Sequence, residues 1–70
     1  MSEFSARELA ACAQREVGFR VRVYEGRVLA GKMPRVTADR EIAMMQAIAS
    51  KLKEEAEAAA AKGDLFGGGR

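Results

Sequence analysis

Cys12 is the one thiol in the chain, and there is no histidine. A cysteine nucleophile needs a base or a nearby cation to hold its thiolate. Cys12 sits on an alanine-rich turn near Glu8 and Glu16, with no obvious cation close by and no histidine to serve as base. A zinc site needs several Cys or His ligands, and a disulfide needs a second thiol. Cys12 therefore reads as a small apolar residue packed inside the fold. The acidic pair Glu54-Glu55 lies in an alanine-rich stretch and reads as a solvated face, not an acid–base pair. No catalytic residue, metal set or cofactor motif emerges, and the expectation is a non-enzymatic protein.

Binding chemistry is better represented. Twelve Lys+Arg face ten Asp+Glu, a net charge of +2. Residues 15–40 carry seven cations (Arg15, Arg20, Arg22, Arg27, Lys32, Arg35 and Arg40) and three acids (Glu16, Glu25 and Asp39). That segment is +4, and the remainder is −2. Arg15 with Arg22, and Arg20 with Arg27, recur at helical spacing, as phosphate contacts on one helix would. A solvated face explains the same residues, with Glu16–Arg20 as an i,i+4 pair. No aromatic interleaving suited to single strands is present, nor any known nucleic-acid-binding module. Nucleic-acid binding through Arg15, Arg20, Arg22 and Arg27 is the alternative reading.

The C-terminus carries a different signal. Residues 63–70 have four glycines and no periodicity, so they read as a flexible tail. Within it, Asp64-Leu65-Phe66 holds the segment's two bulky apolar side chains. They either fold back to cap the helices or form a short linear motif. Lys62-Gly63-Asp64-Leu65-Phe66 is similar to the clamp-binding peptides of bacterial replication and repair proteins. In those peptides an acidic or small residue precedes a Leu-Phe that enters an apolar pocket on the sliding clamp. Here Lys62 stands where glutamine usually leads.

Two helices must position these residues. Ser5 followed by Glu8 fits a capping box. Leu9, Ala13, Val17, Val21, Tyr24 and Val28 continue at steps of three and four, which predicts a helix over about 6–30 closed by Gly31. Phe19, Val21 and Val23 also alternate with Arg20, Arg22 and Tyr24, so a hairpin turning at Glu25-Gly26 competes. The longer helical stripe and the marginal stability of a lone hairpin favour the helix, with a weak point near residues 24–26. Ala38, Ile42, Met45, Ala49, Leu52, Ala56 and Ala59 give a second helix over about 35–62. Its start is marked by Pro34, with Asp39 and Glu41 near the positive end of its dipole. Gly63 marks its stop.

Arg15-Glu16-Val17, Val23-Tyr24, Val28, Gly31-Lys32-Met33 and the run from Ala38 to Met45 resemble a family of short, uncharacterised proteins encoded by phages and prophages of proteobacteria. The likeness covers about residues 12–50. It implies mostly helical structure and a phage setting, with no established activity. Such relatives often carry proline where Glu25 stands, which implies a kink there. They often carry Ser or Thr, a helix cap, where Pro34 stands.

The expected fold is all-α: a two-helix antiparallel hairpin over 1–62, with the first helix kinked, and a Gly-rich tail over 63–70. Apolar residues are 49% of the 70, yet two helices cannot hide all of them. Phe19, Val23, Met44 and Ile48 lie outside or at the edge of the two stripes and are the expected partner-binding residues. They are matched either to a second copy in a four-helix bundle or to a different protein, and the expectation is a homodimer, since the hairpin alone under-buries its apolar faces. Asp64, Leu65 and Phe66 join them if the tail is a motif. The functional expectation is a phage-type accessory protein, an adaptor in replication or an inhibitor of a host process, with the sliding clamp a candidate partner. No leader, lipid anchor or membrane span is visible, so the expected location is cytoplasmic.

Overall fold

A computed structural model describes the backbone of residues 3–67 and the side chains of residues 3–61. The chain forms two helices, α1 (Ala6–Leu29) and α2 (Arg35–Gly67), packed antiparallel across a short turn. There is no strand among the described residues. Between α1 helix and β-hairpin the outcome is helix, unbroken through Tyr24, Glu25 and Gly26.

Local chemistry sets the ends of α1. The Glu8 backbone N–H donates to Ser5 Oγ at 3.0 Å, and the Ser5 N–H donates to Glu8 Oε1 at 2.9 Å. The capping box anticipated from the spacing is complete, and two N–H groups without helical partners are satisfied. At the other end Gly31 adopts φ +76°, the left-handed region that a side chain disfavours. The Gly31 N–H donates to Val28 O at 3.0 Å and the Lys32 N–H to Arg27 O at 2.8 Å. This pair of bonds is a Schellman closure, and it reverses the chain.

The start of α2 differs in detail from expectation. Pro34 precedes the first helical residue, and its carbonyl accepts from the Ala38 N–H at 3.0 Å. Proline offers no side-chain acceptor, so this helix begins without a side-chain cap. No acid lies in its first turn. Asp39 and Glu41 sit further along, facing Arg35 and Arg20 instead of the helix end. At the far end the backbone stays helical to Gly67, past Gly63. The side chains of Asp64, Leu65 and Phe66 lie outside the described residues.

Packing follows a heptad-like seam. On α2 the buried or half-buried apolar positions are Ala38, Ile42, Met45, Ala49, Leu52 and Ala56, the stripe read from the sequence, and Glu41 is half-buried beside them. Ala59 is exposed. On α1 the stripe needs correction. Ala6, Ala10, Ala13, Val17, Arg20, Tyr24 and Val28 face the partner helix, while Leu9 and Val21 are exposed. Steps of four advance 400° and drift about 40° each time, so Leu9, Ala13, Val17, Val21 wind off the seam. Alternating steps of three and four stay on it, and the seam position after Val17 belongs to Arg20.

The core is thin. Ala13, Val17, Met45 and Ala49 form its cluster, with Leu52 packed against them, and Ala38 is buried nearer the turn. Three of the five buried residues are alanine, so the helices approach closely while burying little apolar surface. No large side chain among the described residues is completely buried.

Candidate functional site

Arg20 fixes the register of the two helices. Its Nε donates to Glu16 Oε2 at 3.1 Å, and its Nη1 donates to the Glu41 carbonyl at 3.3 Å, with Glu41 Oε1 3.6 Å away. These bonds hold the half-buried guanidinium, and the hydrogen bond it donates to Glu16 first of all raises its pKa. A polar group placed on an otherwise apolar seam is satisfied at one registration only.

A second tie lies on the other side of the hairpin. Arg35 Nη1 and Nη2 donate to Glu25 Oε1 and Oε2 at 2.8 and 3.1 Å, a bidentate pair bridging the helices. The hydrogen bonds and charge of Arg35 hold the Glu25 carboxyl below the usual carboxylate range. Arg35 is raised by the same contacts. Glu25 and Glu16 are nine residues, or about two and a half turns, apart, so the two ties flank the seam from opposite sides.

The Arg20–Glu16–Glu41 side also carries Phe19, Val23, Met44 and Ile48. Phe19 follows Glu16 by three positions, and Met44 follows Glu41 by three, so each projects on the flank of its helix that carries the tie. Val23 and Ile48 each lie one turn further along. Phe19 is 51% exposed, Ile48 50% and Met44 42%, and Val23 is half-buried. The four residues expected to meet a partner thus share one broad face. Cys12 joins them: it is exposed, against the expectation of a packed residue, because it lies one position before Ala13 and turns about 100° off the seam.

The basic residues divide. Among the described residues Arg20 and Arg35 hold every ion pair, and they engage Glu16, Glu25, Asp39 and Glu41. Arg15, Arg22, Arg27, Lys32 and Arg40 make none. Arg20, counted by spacing among the phosphate-facing set, is turned inward by the seam.

Two features escaped the sequence reading. Leu29 and Val36 flank the turn at 77% and 75% exposure, bracketing a junction that periodicity treats as punctuation. An open groove of about 370 Å³ lies near the start of α1, lined by Arg7, Ala10, Ala11, Gln14, Lys53 and Ala56. The cluster of alanines at 10, 11 and 56 is the signal that would have located it, since small side chains leave the space.

The site therefore defines a class, an all-α helical hairpin with exposed apolar residues on its outer face. No described helix is long and apolar enough to cross a membrane. The chain matches no protein-family profile, no curated protein and no solved structure.

Proposed function

We propose that this chain is a non-enzymatic accessory protein that acts by protein–protein contact, and that its first partner is a second copy of itself. The observation that carries the reading is the shared outer face of Phe19, Val23, Met44 and Ile48. Size supports it. A compact protein of 7.6 kDa exposes about 4,300 Å², and this chain exposes 5563 Å². The excess of about 1,300 Å² is comparable to the roughly 800 Å² that each partner gives to an ordinary interface. The radius of gyration is 16.2 Å against about 11 Å for a compact chain of this length. Pairing two hairpins through that face makes a four-helix bundle with the missing core.

The wider role, a phage-type adaptor or inhibitor, rests on the sequence resemblance. Asp64, Leu65 and Phe66 are its proposed contacts to a host or phage protein. Light scattering over a concentration series tests the dimer: a mass near twice 7.6 kDa is expected, and a monomer at every concentration overturns it. Titration of the full chain and of a chain ending at Lys62 into a bacterial sliding clamp tests the tail. Equal binding, or none, removes the motif.

A second reading has its own observation. The five unpaired cations Arg15, Arg22, Arg27, Lys32 and Arg40 belong to the turn half of the rod, whose acids are taken up by Arg20 and Arg35. Such a surface suits phosphates. Anisotropy with duplex DNA across a salt series decides, since phosphate contacts give affinity that falls steeply with salt. No binding at low salt eliminates it.

A further inference from the structure

We infer that the tip of the hairpin docks end-on to an anionic lipid surface, with Leu29 and Val36 entering the headgroup boundary and Arg27, Lys32 and Arg40 set against the phosphates. Docking of this kind is independent of the dimer proposed above, which uses Phe19, Val23, Met44 and Ile48 along one flank of the rod. Leu29 is the last residue of α1 and Val36 the second of α2. They are more exposed than any other large apolar side chain among the described residues. Side chains that open add little to the hairpin itself, and two of them at one tip point to an apolar environment outside it.

The charge around them says which environment. Residues 26–38 carry Arg27, Lys32 and Arg35 and no acid. The flanking acids, Glu25 and Asp39, both lie within ion-pair distance of Arg35. Arg27 and Lys32, and Arg40 one turn beyond Val36, hold no ion pair among the described residues. An apolar tip ringed by free cations complements a bilayer with anionic headgroups. The aliphatic side chains enter the boundary zone, and the long stems of arginine and lysine keep their charges at the level of the phosphates. Glu8, Glu54, Glu55 and Glu57 stand about 30 Å further along the rod, beyond the reach of screened repulsion.

The backbone of the turn suits the approach. The N–H groups of Gly31 and Lys32 are bonded to Val28 O and Arg27 O, and Pro34 has none to lose. Moving the tip out of bulk water therefore strips few polar groups of their partners. Shape agrees. The rod measures 54 × 21 × 16 Å, so its end is a narrow convex surface that inserts more readily than it encloses a ligand. A DNA duplex would meet the same cations but leave Leu29 and Val36 idle unless a base step were prised open for them, which costs stacking energy. A lipid surface uses both sets without that cost.

The test uses the full chain with vesicles of phosphatidylglycerol and phosphatidylcholine, against vesicles of phosphatidylcholine alone. The chain holds no tryptophan, so Leu29→Trp gives a single reporter at the tip and Phe19→Trp a single reporter on the outer face. Emission from Leu29→Trp should shift to the blue on the anionic vesicles and stay unchanged on the zwitterionic ones, and Phe19→Trp should not respond. Leu29→Ser with Val36→Ser should weaken co-sedimentation about ten-fold or more, with the far-ultraviolet dichroism and the mass of the parent retained. Arg27→Gln with Lys32→Gln should weaken it by a similar factor, since each cation near such a surface is worth about five-fold. No association with anionic vesicles at low salt overturns the proposal. So does association undiminished by the two serines, which would mean that cations alone hold the surface. A response confined to Phe19→Trp would put the flank against the lipid and is equally fatal. If the two serines instead weaken binding to duplex DNA, the aliphatic pair is a wedge in a base step and lipid is the wrong occupant. A monomeric mass by light scattering removes the dimer and leaves each of these readings as it stands.

Discussion

Gly31 and Gly26 lie close in sequence and do opposite things. Gly31 is left-handed and terminates α1, so a Cβ there is strained whatever the space around it. Gly31→Ala should cost about 1–2 kcal/mol, a fall of roughly 5–15 °C in Tm at fixed protein concentration. Gly26 is inside the helix with nothing within 4 Å of its virtual Cβ. Gly26→Ala should raise stability by about 0.5–1 kcal/mol, since alanine loses less backbone freedom than glycine. Thermal melts followed by circular dichroism check both signs. Glu25 makes a pH-dependent prediction. Its carboxyl titrates lower when folded than when unfolded, because Arg35 favours the charged form. Its contribution is therefore present at neutral pH and lost as the pH falls through the depressed folded value. Both partners are well exposed, so the effect is small. The acid limb of a Tm-against-pH curve should be shallower in Glu25→Gln than in the parent chain.

The helices differ in how plainly the sequence exposes them. Along α2, apolar residues repeat at alternating three and four, so the seam from Ala38 to Ala56 can be read directly. Both ends of α1 were legible too, because Ser5, Glu8 and Gly31 carry capping chemistry that acts locally. The inner face of α1 was not. Leu9 and Val21 look like seam residues by hydrophobicity, and Arg20 does not. The bonds that turn Arg20 inward come partly from Glu41, on the other helix, and spacing within α1 cannot show them. Cys12 gave two signals: its residue type marks it as a core residue, while its spacing already sets it well round from the first stripe, and the spacing is what the fold follows. The outer set of Phe19, Val23, Met44 and Ile48 was legible because these side chains are apolar where the inner stripe has no place for them. Close approach of the helices depends on Ala13, Ala38 and Ala49. Ala49→Leu would push a bulky side chain into the core cluster, where Ala49 is buried. We expect a loss of about 1–3 kcal/mol, read as a lower Tm, despite the greater hydrophobicity of leucine. An unchanged or higher Tm would mean that the helices can separate without penalty.

At the scale of the molecule, folding and association should be one event. The inner seam buries mostly alanine, and alanine burial removes little apolar area from water. Phe19, Met44 and Ile48 hold the larger areas and leave much of them exposed in one copy. The dimer proposed through them would add the larger share of the hydrophobic stabilisation, and mass action would then tie stability to concentration. The Tm of the parent chain should rise measurably over a hundred-fold increase in protein concentration. Phe19→Ser with Ile48→Ser should remove that dependence and leave a chain of monomeric mass. At the highest concentration its Tm should lie far below the parent's, while at high dilution the two should converge. The substitutions touch exposed side chains, so a hairpin that was stable alone would tolerate them. If the parent chain melts cooperatively at one temperature across the whole series, the single hairpin is sufficient, and the outer face has some occupant other than a second copy.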